Sequence, residues 1–183
     1  MEIALINESL FRDNSPVKDD TIIGKFIPYI VLAQRLYIAP ILGDALTSEL
    51  QTQIKIASET GDTTAITQTN QALILMIAPP LSFYAVYQAL PFHWASLINK
   101  GITLLESENS KAIGIDELGQ LRRYLRDDAQ ILAQQLADYL CHCEANYPLW
   151  RPSESCGCAI KSCNSNGGGS KIAEADTGMF YPE

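Results

Sequence analysis

Residues 37–44 read Tyr-Ile-Ala-Pro-Ile-Leu-Gly-Asp, and this stretch decides the fold class. Pro40 disfavours the α region at Ala39, so a helix arriving from the N-terminal side is expected to end near Ala39. Gly43 lets the chain turn sharply. Asp44 is placed to cap a second helix over about residues 45–58, with Leu46, Leu50, Ile54 and Ala57 inward. Helix, tight break and helix again is the beginning of a bundle.

Upstream, Asp19-Asp20-Thr21 offers carboxylates to the positive end of a helix dipole. Ile23, Phe26, Ile27, Ile30, Tyr37 and Ile38 then recur at helical spacing. Pro28 inside this run predicts a kink or a later true start. Residues 2–11 read as a short strand or an arm with Ile3, Leu5 and Leu10, and residues 12–17 as a loop.

Downstream, a polar loop around Gly61 leads to a third helix opened by Thr64 or Thr67. Its segment 72–78 is apolar on every side, which marks the centre of a bundle. Pro79-Pro80 is expected to break or bend it, and Pro91 to end the helical register. Phe92 to Ile98, a turn at Asn99-Lys100-Gly101, and Ile102 to Glu106 read as a β-hairpin. After a polar loop, Asp116-Glu117 starts the longest helix, to about Asn146. Leu118, Leu121, Leu125, Leu132, Leu136, Tyr139, Leu140 and Cys143 run down one side. Arg122, Arg123, Arg126, Asp127 and Asp128 lie largely opposite, with Arg123 and Asp127 at pairing distance. The expected fold is mainly α: a bundle of about four helices over residues 1–150 with a β-hairpin inserted at 92–106.

Residues 151–183 are rich in Pro, Ser, Gly, Asn and Cys and cannot build a core of their own. Gly167-Gly168-Gly169 supplies a joint. The segment Met179-Phe180-Tyr181-Pro182 makes the tail read as an extended docking arm, with Phe180 and Tyr181 as anchors. The hairpin is a second contact candidate. Phe92, Trp94, Leu97, Ile98, Ile102, Leu104 and Leu105 carry more apolar surface than one face of a two-stranded ribbon can bury. Trp94 and Leu104 are its expected interface residues.

Hydrophobic residues make up 47% of the 183, enough to bury a core. Acidic residues outnumber basic ones by 21 to 13, a net charge of -8, which argues against gripping nucleic acid through its phosphates. The same charge suits the wall of a conduit through which DNA slides ungripped. Met1-Glu2-Ile3-Ala4 lacks the basic start of a secretory signal. Residues 72–90 are the best membrane-span candidate, but the proline pair and Ser82, Tyr84, Tyr87 and Gln88 favour a core helix, so no membrane partner is expected.

Catalytic patterns are sparse, and no enzyme is expected. His93 and His142 are the two histidines, and neither reads as having a carboxylate at the three- or four-residue helical spacing that di-iron bundles or zinc proteases require. No glycine-rich loop follows a strand and no nucleophile elbow appears. Adjacent carboxylates such as Asp127-Asp128 project about 100° apart on a helix and read as solvated. His93 reads as a half-buried hydrogen-bond donor. Cysteine is the one serious alternative. Cys141, Cys143, Cys156, Cys158, Cys163 and His142 fall within one short stretch. A zinc site built from Cys143, Cys156, Cys158 and Cys163 is stereochemically open. Cys141 and Cys143 cannot both reach one ion from a continuing helix, and CxC is not the usual knuckle. The plainer expectation is no cofactor, with Cys143 buried and the tail thiols reduced.

Several features come in a definite order. Ala33-Gln34 and Ile38-Ala39-Pro40-Ile41-Leu42-Gly43 are followed by the apolar third helix. Asn99-Lys100-Gly101-Ile102 and Glu106-Ser107-Glu108-Asn109-Ser110 come next, then a long helix ending near Tyr147-Pro148-Leu149-Trp150. In that order the chain resembles the head–tail connector (adaptor) proteins of tailed phages, especially those of Bacteroidetes phages and prophages. The resemblance implies a helical bundle with an inserted hairpin, assembled as a ring, typically of twelve copies, between portal and tail. It implies no chemistry. The implied partners are other copies of the chain, the portal protein and further neck and tail proteins, with genomic DNA passing through unbound. The implied place is the virion neck, after assembly in the host bacterial cytoplasm. The Cys-rich tail departs from the family's pattern. Two readings of other classes stand beside this one: a zinc-stabilised helical binding module, which a metal assay would reveal, and an enzyme, which needs a pocket with strongly shifted titrating groups.

Overall fold

The structure, a computed structural model, describes residues 3–17, 21–98, 101–104 and 114–150. The fold is mainly α. Its helices are α1 (Glu8–Asn14), α2 (Ile27–Ala33), α3 (Ala39–Leu42), α4 (Asp44–Thr60), α5 (Gln68–Trp94) and α6 (Ile115–His142). Between α5 and α6, two short strands, β1 (Ala95–Ile98) and β2 (Gly101–Leu104), pair antiparallel.

The N-terminal segment forms no strand: residues 3–7 and 15–17 are irregular and flank the helix α1, which takes in part of the expected loop. The Asn7 side chain accepts from the Leu10 N–H at 2.8 Å and caps α1. Phe11 on α1 is fully buried and packs on Phe26 at 5.4 Å between ring centroids. Ahead of α1, the chain is clasped by one buried amide. Gln34 accepts from the Leu5 N–H at 2.8 Å and donates to the Ile3 carbonyl at 3.1 Å. A Gln34→Leu variant keeps similar bulk but leaves both backbone groups unpaired. It is expected to lose about 2–3 kcal/mol, since each orphaned buried group costs ~1–3 kcal/mol. Urea unfolding within error of wild type would show that the clasp is dispensable.

The expected acidic helix start is not where the helix begins. Thr21 and Ile22 are non-helical, Ile23–Lys25 forms a 3₁₀ turn, and α2 opens at Ile27. Asp19 and Asp20 lie outside the described residues. Pro28 sits in the first turn of α2, where its missing N–H has no intrahelical partner to lose. The later true start is thus the one that occurs.

The stretch 37–44 departs from expectation in an instructive way. The helical path does not stop at Ala39. Gln34–Ile38 winds as a π turn, and the Ala39 N–H donates to the Gln34 carbonyl, five residues back. The widened turn changes which carbonyl faces the ring of Pro40, so α3 carries a proline in its first turn. The break comes at Gly43, with φ 78° and ψ 159°, a conformation open to glycine and costly for other residues. Thr47 Oγ1 donates to the Gly43 carbonyl at 2.8 Å. Asp44 is therefore the first residue of α4 and not its cap; its charge still favours the dipole's positive end. Gly61, with φ 70°, closes α4.

The third helix does not break at Pro79-Pro80 and does not end at Pro91. α5 runs without a break from Gln68 to Trp94 with Pro79, Pro80 and Pro91 inside it. Thr67 caps it, its Oγ1 accepting from the Asn70 N–H at 3.3 Å. Each interior proline costs about 3 kcal/mol. Leu73, Ile77, Leu81, Tyr84 and others are buried, each contributing roughly 1.5–3 kcal/mol. Packing wins because α5 is the central helix, covered by α1, α2 and α6. By length and composition Gln68–Phe92 could also cross a bilayer, but most of it is buried within the bundle. Because α5 extends to Trp94, Phe92, His93 and Trp94 belong to a helix and not to a strand.

α6 begins with a one-sided cap in which the Glu117 carboxylate reaches back and accepts from the Gly114 N–H at 3.2 Å. Its buried seam is Leu118, Leu125, Ala129, Ala133, Leu136, Ala137 and Leu140. The alanines let α6 approach α5 closely, and α5 brings Ala78, Ala85 and Ala89 to the core in turn. Leu121, expected inside, is 41% exposed. Arg123 does not pair with Asp127. It donates to the Gly119 carbonyl, while Arg126 pairs with Asp127 at 3.2 Å.

After α6 the chain returns to the core. Tyr147 and Trp150 are both buried. The Tyr147 hydroxyl donates to the Thr69 carbonyl at 3.0 Å, and Trp150 Nε1 donates to the Ile41 carbonyl at 2.9 Å.

Candidate functional site

Among the described residues, no group of three or more His, Cys, Asp or Glu side chains could hold a metal ion. Of the suggested zinc ligands, Cys143 caps the end of α6 and is half-buried against the core, as is Cys141. Cys156, Cys158 and Cys163 lie outside the described residues. Asp138 stands one turn before His142, a spacing the sequence reading passed over. It is the backbone carbonyl of Asp138 that His142 Nδ1 meets, at 2.7 Å.

The candidate site is therefore a surface. Trp94 is the last residue of α5, and Leu104 ends β2 opposite Ala95. The pairing thus brings these two positions together at the end of the ribbon next to α5 and not at its tip. The loop 105–113, Phe180 and Tyr181 lie outside the described residues.

A second part of the surface was missed by sequence reasoning. Leu121, Tyr124 and Ile131 are 41%, 59% and 60% exposed. Their spacing of three and seven residues puts them in one stripe along α6, turned away from the alanine seam. The signal was present as an apolar stripe with no partner stripe elsewhere in the sequence, but the leucines on the other side drew the assignment. Next to it, Val17, Phe26, Val86, Leu90, Leu121 and Leu125 line an apolar groove of about 350 Å³.

Behind the α6 surface lies a rigid aromatic layer. Tyr37 stacks on Tyr84 at 4.0 Å with the rings 8° from parallel. Gln88 donates to the Tyr37 hydroxyl at 2.6 Å, and the Arg122 guanidinium lies 4.5 Å above the Tyr87 ring. Burial pushes the Tyr37, Tyr84 and Tyr147 phenols above their ordinary range; at Tyr84 the neighbouring Tyr37 adds to this, and at Tyr147 the hydrogen bond with Tyr139 does. These groups hold their protons in the folded state while the unfolded chain releases them near pH 10, so their contribution is complete below about pH 10 and is lost as pH rises through the higher folded values. Absorbance titration should show these phenols ionising only together with loss of the near-ultraviolet dichroism. Full ionisation near pH 10 with the dichroism intact would contradict the burial.

Against known proteins, residues 38–160 match the model of a family described as Family of unknown function (DUF6712), more than half of the chain. The chain belongs to this family. The DUF6712 region opens at Ile38, just before the Pro40–Gly43 break, and takes in α4, α5, α6 and the Trp150 return. No curated protein and no solved structure matches the chain.

Proposed function

We propose that this DUF6712 member is a structural virion protein, a head–tail connector that assembles as a ring below the portal, lines the DNA conduit and joins capsid to tail. The observation that carries the reading is the apolar stripe of Leu121, Tyr124 and Ile131 on the longest helix, exposed among the described residues. Surface of that kind is kept where another copy or partner covers it. The order of features shared with phage adaptors says which assembly, and the net charge of -8 suits a wall facing DNA that must move. The ribbon after α5 is the inserted hairpin of this reading, and its root carries a contact to a neighbour. In this role the chain meets itself, the portal and further neck and tail proteins. It needs no cofactor, and it resides in the virion neck.

The hairpin's part is tested by Trp94→Asp and Leu104→Asp. Each is expected to stop ring assembly, read by size-exclusion chromatography with light scattering, while the helical circular dichroism signal is retained. Rings of normal size from both variants would remove the hairpin from the interface.

A further inference from the structure

We infer that the apolar groove between α5, α6 and the segment before α2 receives residues 179–182 of a neighbouring copy. The inference rests on the ring reading and names which surfaces join. The groove side chains used are Val17, Phe26, Val86, Leu90, Leu121 and Leu125, all apolar. Its size, about 350 Å³, lies at the small end of the ~300–1,000 Å³ range of ligand pockets and suits one or two inserted side chains. Leu121 lines the groove and belongs also to the α6 stripe exposed among the described residues, so groove and stripe adjoin.

The occupant is argued from the chain that follows Trp150. Residues 151–183 carry few apolar side chains, and Met179-Phe180-Tyr181-Pro182 is their densest apolar cluster. Two aromatics side by side offer large area with few rotamers to freeze. Phe180 stands 30 positions after Trp150, a reach of up to ~100 Å when extended. The starting point is fixed, because Trp150, after the chain has turned back from α6, is held at the Ile41 carbonyl. The groove uses Leu121 and Leu125 near the N-terminal end of α6. From Leu125 to the end of that helix is about 25 Å at 1.5 Å per residue. The tail and the groove are thus two different surfaces of one chain. Two different surfaces joined head to tail repeat from copy to copy, and such a contact closes into a ring when the rotation permits.

The test uses the full chain with p-benzoylphenylalanine in place of Phe180, prepared in isotopically light and heavy forms, mixed under assembly conditions and irradiated. Cross-links should join light to heavy chains and fall on peptides containing Leu90 or Leu121. Leu121→Glu should lower their yield about tenfold or more, because a carboxylate placed in an apolar groove opposes an apolar occupant. Leu121 is already partly exposed, so this variant should fold, which circular dichroism checks. Tyr181→Asp, made on the tail, should lower the yield too. Cross-links within single chains, cross-links elsewhere, or yields unmoved by both variants overturn the inference. Rings that form without groove cross-links overturn it while leaving the connector reading standing. Absence of both rings and light–heavy cross-links overturns both.

Discussion

Trp150→Ala is expected to destabilise the bundle by about 3–5 kcal/mol, the range for emptying a buried tryptophan site. The side chain is 4% exposed. Its Nε1 reaches the Ile41 carbonyl, 109 positions away in sequence. That carbonyl belongs to the last turn of α3, where helical carbonyls lack an intrahelical partner. Losing the indole removes the packing, leaves a cavity and strands a buried acceptor. Trp150→Phe separates these effects: it keeps most of the bulk and should cost about 1–3 kcal/mol for the orphaned carbonyl. Urea denaturation followed by circular dichroism measures both. If Trp150→Ala lies within ~1 kcal/mol of wild type, the segment after α6 is not part of the cooperative unit.

The second large effect is on assembly. The double variant Tyr124→Glu with Ile131→Glu is expected to keep the monomer's stability within about 0.5 kcal/mol, the usual range for exposed sites. Both side chains point away from the core, at 59% and 60% exposure. At an interface the same changes bury two charges without partners, at a cost of several kcal/mol per contact, and a ring repeats the contact at every copy. Assembly should fall by at least about a hundredfold in affinity, since each 1.4 kcal/mol is tenfold. Sedimentation velocity across a concentration series reads this. Unchanged assembly by the double variant would show that the α6 stripe faces solvent in the finished particle.

Much of the fold was legible because amphipathic periodicity and caps are local signals. α4 and α6 were readable from their leucines, from Gly43 and Gly61, and from Asp116-Glu117. The continuously apolar 72–78 segment correctly marked a central helix. What the sequence concealed has physical causes. Prolines 79, 80 and 91 argue locally for breaks, and only burial on all sides outweighs them. A π turn has no periodicity of its own, so Pro40 read as a stop. Alanine seams are weak hydrophobic signals, so Leu121 was taken for core and Ala129, Ala133 and Ala137 were passed over. Gln34 and Trp150 act through hydrogen bonds to backbone far away in sequence, which no local pattern announces. Of the candidate site, the interface role expected of Trp94 and Leu104 rests on the sequence pattern alone. The α6 stripe was not legible, because which side of a two-sided apolar helix faces the core is settled only by its neighbours.

The connector reading is tested most directly by the mass of what forms when the purified full-length chain is mixed with assembled portal rings from a phage that encodes it. Native mass spectrometry, with electron microscopy of the same sample, should show portal particles carrying a closed ring of this chain in a fixed stoichiometry. Portal particles that stay bare, with this chain monomeric beside them at every concentration tried, would contradict the proposal.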